Sequence, residues 1–219
     1  MGCDGRLSDD TGMRHLANFP RLARVRIQES VATDVGFEAL SQSKTIDSIW
    51  GRRCPNFGSR GFLAFSKMPT LRSLGIGCGS VSDEALRTLP NFPSLRELTP
   101  IDVPDAGFSH IGACQRLERL TCMYCRDTTD IATGHIANLN LKYYYAGLTQ
   151  ITDRSLALLG KMSSLEKVEF YECQHITDAG LPHLAILPNL RELNLDGCPG
   201  ITFTGTKAIP DGVRVHYSV

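Results

Sequence analysis

Near the C-terminus, Leu165-x-x-Val168-x-Phe170-x-x-Cys173 is followed 25 residues on by Leu190-x-x-Leu193-x-Leu195-x-x-Cys198. Each leads into a similar phrase, Ile176-Thr177-Asp178-Ala179-Gly180-Leu181 and then Ile201-Thr202-Phe203-Thr204-Gly205-Thr206. Working outward, an apolar anchor recurs at Leu193, Val168, Tyr144, Leu120, Leu98, Leu74, Ile49 and Val25. The separations are 25, 24, 24, 22, 24, 25 and 24. Intervals this regular mark internal repetition, and a period in this range belongs to stacked repeat architectures.

Every unit has one grammar. Around each anchor apolar and polar residues alternate, as in Val25-Arg26-Ile27 or Leu193-Asn194-Leu195, which is the period of a half-buried strand. Apolar residues at helical spacing follow, such as Leu181, Leu184 and Leu187. Thr, Ser or Asp opens most of these stretches, at Thr33-Asp34, Ser82-Asp83, Asp105, Thr129-Asp130, Thr152-Asp153 and Thr177-Asp178. Their side-chain oxygens suit the free N–H groups of a first helical turn. Proline closes the unit five residues before the next anchor, at Pro20, Pro69, Pro93 and Pro188, because it cannot donate to a continuing helix.

One strand and one helix of this size cannot bury their own apolar face, whereas stacked neighbours bury a shared one. The Leu-Cys-Ile-Thr-Asp-x-Gly-Leu register resembles leucine-rich repeats, specifically the cysteine-containing type of F-box and bacterial repeat proteins. The resemblance covers essentially the whole chain. It implies an α/β fold: a right-handed solenoid in a horseshoe arc, with a parallel sheet on the concave face and helices on the convex face. Residues 1–219 then read as a single domain of about eight to nine repeats. Gly2-Cys3-Asp4-Gly5 reads like Gly197-Cys198-Pro199-Gly200, so the chain is expected to begin halfway through a repeat with its first strand missing. An upstream domain or further repeats would then cover that edge. Val213–Tyr217 reads as a last strand that caps the other end.

Composition excludes several roles. Lys plus Arg is 23 and Asp plus Glu is 23, for a formal net charge of zero, where nucleic-acid and anionic-membrane binders carry a basic excess. No long apolar run or signal-peptide pattern is present, so a cytoplasmic chain with neither membrane nor nucleic-acid partner is expected. Met1-Gly2-Cys3 lacks the Ser or Thr that a myristoylation signal needs at the position of Arg6.

The eight cysteines are assigned to structure rather than metal. Cys3, Cys54, Cys125, Cys173 and Cys198 fall at one repeat position, where a buried thiol acts as a small apolar group. Cys122-x-x-Cys125 has no second pair to complete a zinc site, and its spacing follows from the repeat. A ladder of thiols favours a reducing compartment. His15, His110, His135 and His183 recur at one helical position and are read as exposed imidazoles on the convex side. Nucleophile-turn, zinc-protease and phosphate-loop motifs are absent. No cofactor, metal or catalytic residue is expected.

Function is therefore expected on the strand residues one before, one after and three after each anchor, which point away from the core. Trp50, Tyr143, Tyr145 and Tyr171 stand there, although burying them would release more free energy. Arg24, Arg26 and Arg52 make one end basic, while Glu169, Glu192 and Asp196 make the other acidic, and Arg119 stands on the same set of positions between them. Gly75 and Gly77 suggest a notch beside Trp50, and Met123 completes the set. Trp, Tyr and Arg dominate interface energetics, so the expectation is a non-catalytic module that binds a protein or peptide on this face. Three rivals are a ubiquitin-ligase-type adaptor, a purely structural spacer, and an enzyme using Glu169, Glu192 and Asp196 as acid and base. Pro100 and Pro104 interrupt the grammar, and a bulge is expected in the Leu98 strand.

Overall fold

The computed structural model describes residues 2–4, 8–123 and 125–218, which group into two compact units, Met1–Ile101 and Asp102–Val219. In the first, strands β1 (Gly2–Asp4), β2 (Arg24–Gln28), β3 (Ser48–Arg52), β4 (Ser73–Gly77) and β5 (Glu97–Ile101) pair in sequence order, all parallel. Helices α1 (Asp10–Ala17), α2 (Asp34–Leu40), α3 (Ser59–Phe65) and α4 (Asp83–Leu86) connect them. In the second, β6 (Arg119–Cys122), β7 (Tyr143–Gly147), β8 (Lys167–Tyr171), β9 (Glu192–Asn194) and β10 (Arg214–His216) do the same. Here the helices are α5 (Phe108–Gly112), α6 (Asp130–Ile136), α7 (Asp153–Leu159), α8 (Leu181–Ala185) and α9 (Phe203–Thr206).

The anchors stand side by side as the period requires. In the first unit Val25 faces Ile49, Ile49 faces Leu74 and Leu74 faces Leu98. In the second the row runs Leu120, Tyr144, Val168, Leu193 and Val215. All but Val215 are buried. Each unit adds aromatic bulk between sheet and helices. Phe37 meets Phe57 edge-on at 4.8 Å and Phe65 at 6.0 Å, while Tyr144 packs edge-on against Phe170 at 6.5 Å.

Threonine caps its own helix as the sequence suggests: Thr33, Thr129, Thr152, Thr177 and Thr202 each accept an N–H from the first turn. The aspartate that follows does something else. Asp10 accepts the N–H of Thr33 at 2.7 Å and its hydroxyl at 2.9 Å, one repeat further on. Asp130 does the same for Thr152, Asp153 for Thr177, and Asp178 for Thr202, all at 2.6–2.9 Å. Each carboxylate thus ties its helix to the cap of the next, a bracket set at the positive end of short helices. Asp34 finds no threonine in the next repeat and takes backbone N–H groups of Gly58 and Arg60 instead.

The strand exits share a second device. Four residues after the anchor the backbone turns left-handed, at Glu29, Arg53, Asp102, Leu148, Glu172 and Gly197 (φ 50–68°). That turn brings the next residue back on the strand end at Cys54, Cys173 and Cys198, whose thiols, like that of Cys125, donate to the carbonyl two residues earlier, at 3.7–3.8 Å. Cys125, Cys173 and Cys198 are buried and Cys54 half-buried, so the ladder is structural at these positions.

Two expectations need correction. The first strand is not missing, because β1 lies beside β2 with Cys3 opposite Ile27. Cys3 therefore sits two residues after an anchor position, not five. Asp9, the cap of α1, comes six residues after Cys3, whereas Thr202 comes four after Cys198, so matching the cysteines by type misplaces the register. Met1 and Gly5–Leu7, which entered that comparison and the lipidation reading, lie outside the described residues. Nor does Pro100 make a bulge against β4. The pairs Gly75–Thr99, Ile76–Pro100 and Gly77–Ile101 run without a skip. Proline removes a donor without inserting a residue, so the register survives.

Candidate functional site

In the first unit the outward face of the strands brings Arg24 opposite Ser48, Arg26 opposite Trp50, and Gln28 opposite Arg52. Trp50 in turn lies opposite Gly75. The Arg26 guanidinium carbon stands 4.5 Å from the centre of the Trp50 ring, within cation–π range. On the ring's other flank, a Cβ at Gly75 would come within 2.6 Å of Trp50 Cδ1 and 3.2 Å of Thr99 Cβ. The expected notch at Gly75 is therefore filled by Trp50 itself: glycine is there so that the indole can lie flat, and Gly75 is buried beneath it. Open space begins at Gly77, where an added Cβ meets nothing within 4 Å. Ile101, expected on this face, is buried instead.

The second unit builds a linked chain on the outward face of its own strands. Arg119 covers the Tyr143 ring at 4.1 Å, and the Tyr143 hydroxyl donates to Glu169 Oε1 at 2.9 Å. Lys167 Nζ bridges Glu169 Oε1 at 3.0 Å and Glu192 Oε1 at 2.5 Å. Arg214 reaches Glu192 Oε2 at 3.5 Å, and His216 Nε2 lies 3.9 Å from Oε1. Asp196 accepts from Asn194 Nδ2 at 3.1 Å and from the Ser218 hydroxyl at 2.9 Å. The acidic end read from the sequence is thus largely neutralised. Lys167 lies in register with Glu192, as does Arg214, and His216 in register with Asn194, so cationic groups stand at the same positions as the carboxylates.

Tyr145 folds back over Gly147, where an added Cβ would come within 2.9 Å of Tyr145 Cζ, and so Gly147 is buried. Tyr171 is 42% exposed, with a hydroxyl held above its ordinary range mainly by its hydrogen bond to Glu172. Met123 is half-buried at the end of its strand. His15, His135 and His183 are exposed and His110 is half-buried. Among the described residues no three His, Cys, Asp or Glu side chains are grouped to hold a metal ion. Burial lifts the Cys122 thiol well above its usual range, which keeps it protonated in the core.

Titration follows from the same contacts. The hydrogen bond from Lys167 holds Glu192 below the ordinary carboxylate range. Burial works to raise Asp10 and Asp130, but the N–H and hydroxyl groups they accept outweigh it and both are lowered. A carboxylate held low stabilises the fold above its unfolded pKa, and that contribution disappears as pH falls through its folded value. The thermal midpoint, followed by circular dichroism, should therefore stay level through mildly acidic pH and drop below about pH 4. A midpoint unchanged down to about pH 2 would show that these brackets carry no stability.

Neither a protein-family model nor a curated protein matches the chain in sequence. Solved structures do match. An internalin from Listeria monocytogenes aligns with a TM-score of 0.55 at 14% identity, over 94% of this chain and 70% of that one. A chain of the Drosophila Toll–Spatzle complex gives 0.56 at 12% identity, over 94% of this chain and 28% of that one. The chain has the leucine-rich repeat fold. At these identities the likeness of this leucine-rich repeat chain is one of backbone architecture alone.

Proposed function

We propose that this leucine-rich repeat chain is a non-catalytic interaction module that binds a protein or peptide on the outward, concave strand face. The observation that carries the reading is Trp50, half-exposed and held flat between Arg26 and Gly75. An aromatic ring fixed before binding loses little entropy when a partner covers it, and Trp, Tyr and Arg are the residue types that dominate hot spots. The Tyr143 ring under Arg119 repeats the arrangement in the second unit. The Toll–Spatzle complex provides a precedent for this fold in a protein complex.

The enzyme alternative loses support from the same geometry. A general acid needs a raised carboxyl pKa, whereas Glu192 is held low by Lys167. No described helix is long and apolar enough to cross a membrane. The reading includes a cytoplasmic location and the cysteine-containing subtype, both supported by the thiol donors at the strand exits. Affinity capture compared between wild type and the variants Trp50→Ala, Tyr143→Ala and Tyr145→Ala is the test. The variants should lose the captured partner while melting as wild type does. Retention of the partner by all three would refute the reading.

A further inference from the structure

The first unit's strand face carries three arginines, Arg24, Arg26 and Arg52, on two adjacent strands, with Glu97 and, in register with Gln28, Asp4 at its acidic positions. We infer that this face takes an acidic peptide segment, one of whose side-chain carboxylates is received by Arg26 above the Trp50 ring. The inference rests on the interaction reading and adds the chemistry of the partner.

Arg26 decides it. Its guanidinium lies over the indole at 4.5 Å, the side chain is exposed, and it has no hydrogen-bond or ion-pair partner among the described residues. Stacking uses the plane of the group and leaves its edge of N–H donors for a ligand. That edge matches the two oxygens of a carboxylate, and the stacked ring fixes its direction. The same unit shows what a satisfied arginine looks like: Arg53 binds Glu29 at 2.7 Å, and Arg60 binds Glu38 at 2.8 Å. Beyond the indole, the open space at Gly77 admits a flanking side chain of the peptide. Nucleic acid is the less suitable anion, because three arginines with Asp4 and Glu97 in the same strands, on a chain of zero net charge, neutralise few phosphates.

The test uses the full chain and immobilised peptides with Glu at alternate positions, each beside its Gln counterpart. Glu peptides should bind and Gln peptides should not, and added salt should weaken the binding. Arg26→Gln should weaken it about tenfold, the loss of one charge-assisted contact, with the melting transition unchanged. Equal retention of Glu and Gln peptides would overturn the inference. So would wild-type affinity in Arg26→Gln, or stronger competition by a single-stranded oligonucleotide than by the Glu peptide. These results would leave the interaction reading standing as long as Trp50→Ala still abolishes partner capture, so the two failures are distinguishable.

Discussion

Phe37→Ala should destabilise the first unit by about 3–5 kcal/mol, as large-to-small changes at buried aromatic positions do. Phe37 lies on α2, is fully buried, and stands at the centre of an aromatic group with Phe57 at 4.8 Å and Phe65 at 6.0 Å. Removing it deletes buried apolar area and opens a space that two other rings border but cannot fill without leaving their own contacts. A repeat has no core of its own, so the damage spreads to its neighbours through the shared interior. Denaturant unfolding should show the loss as a lower midpoint. Phe37→Leu, which keeps most of the volume, should cost clearly less. Equal effects of Ala and Leu would mean that ring packing does not set stability here.

Asp130→Ala should cost roughly 3 kcal/mol, since hydrogen bonds to a charged acceptor are the expensive ones to lose. Asp130 accepts the Thr152 N–H at 2.9 Å, the Thr152 hydroxyl at 2.7 Å and the Ser155 hydroxyl. Ser155 is fully buried and bonds onward to the buried Thr133 hydroxyl at 2.8 Å. Alanine would strand these donors together, between two helices that the carboxylate now joins. Asp130→Asn keeps one acceptor oxygen and should cost less at neutral pH, and it should also flatten the acid limb of the stability curve. A wild-type melting temperature for Asp130→Ala would refute the bracket.

The anchors, the strand–helix order and the threonine caps were legible in the sequence because each is local or recurs at one period. Asp130 shows where that legibility stops. Its neighbours in sequence suggest a role in its own first helical turn, while its actual partners belong to the following repeat. The Trp50–Gly75 contact failed for a related reason. Residue types predict an exposed indole beside an empty glycine, but a large ring next to a missing side chain lies down on it. Lys167 was legible in principle, because Lys167 and Glu192 hold the same position in adjacent repeats and must face each other. Cys3 shares its residue type with the cysteines of the later repeats but not their distance to the helix cap, so residue type alone does not place it.

Trp50 is the only tryptophan in the chain, so its emission reports directly on the strand face. The decisive measurement is titration of the wild-type protein with the partner it captures, exciting the indole. The account predicts a change in emission that saturates with binding, and loss of that binding in Trp50→Ala and Arg26→Gln. Saturable binding with unaltered Trp50 emission, and undiminished affinity in Trp50→Ala, would contradict it.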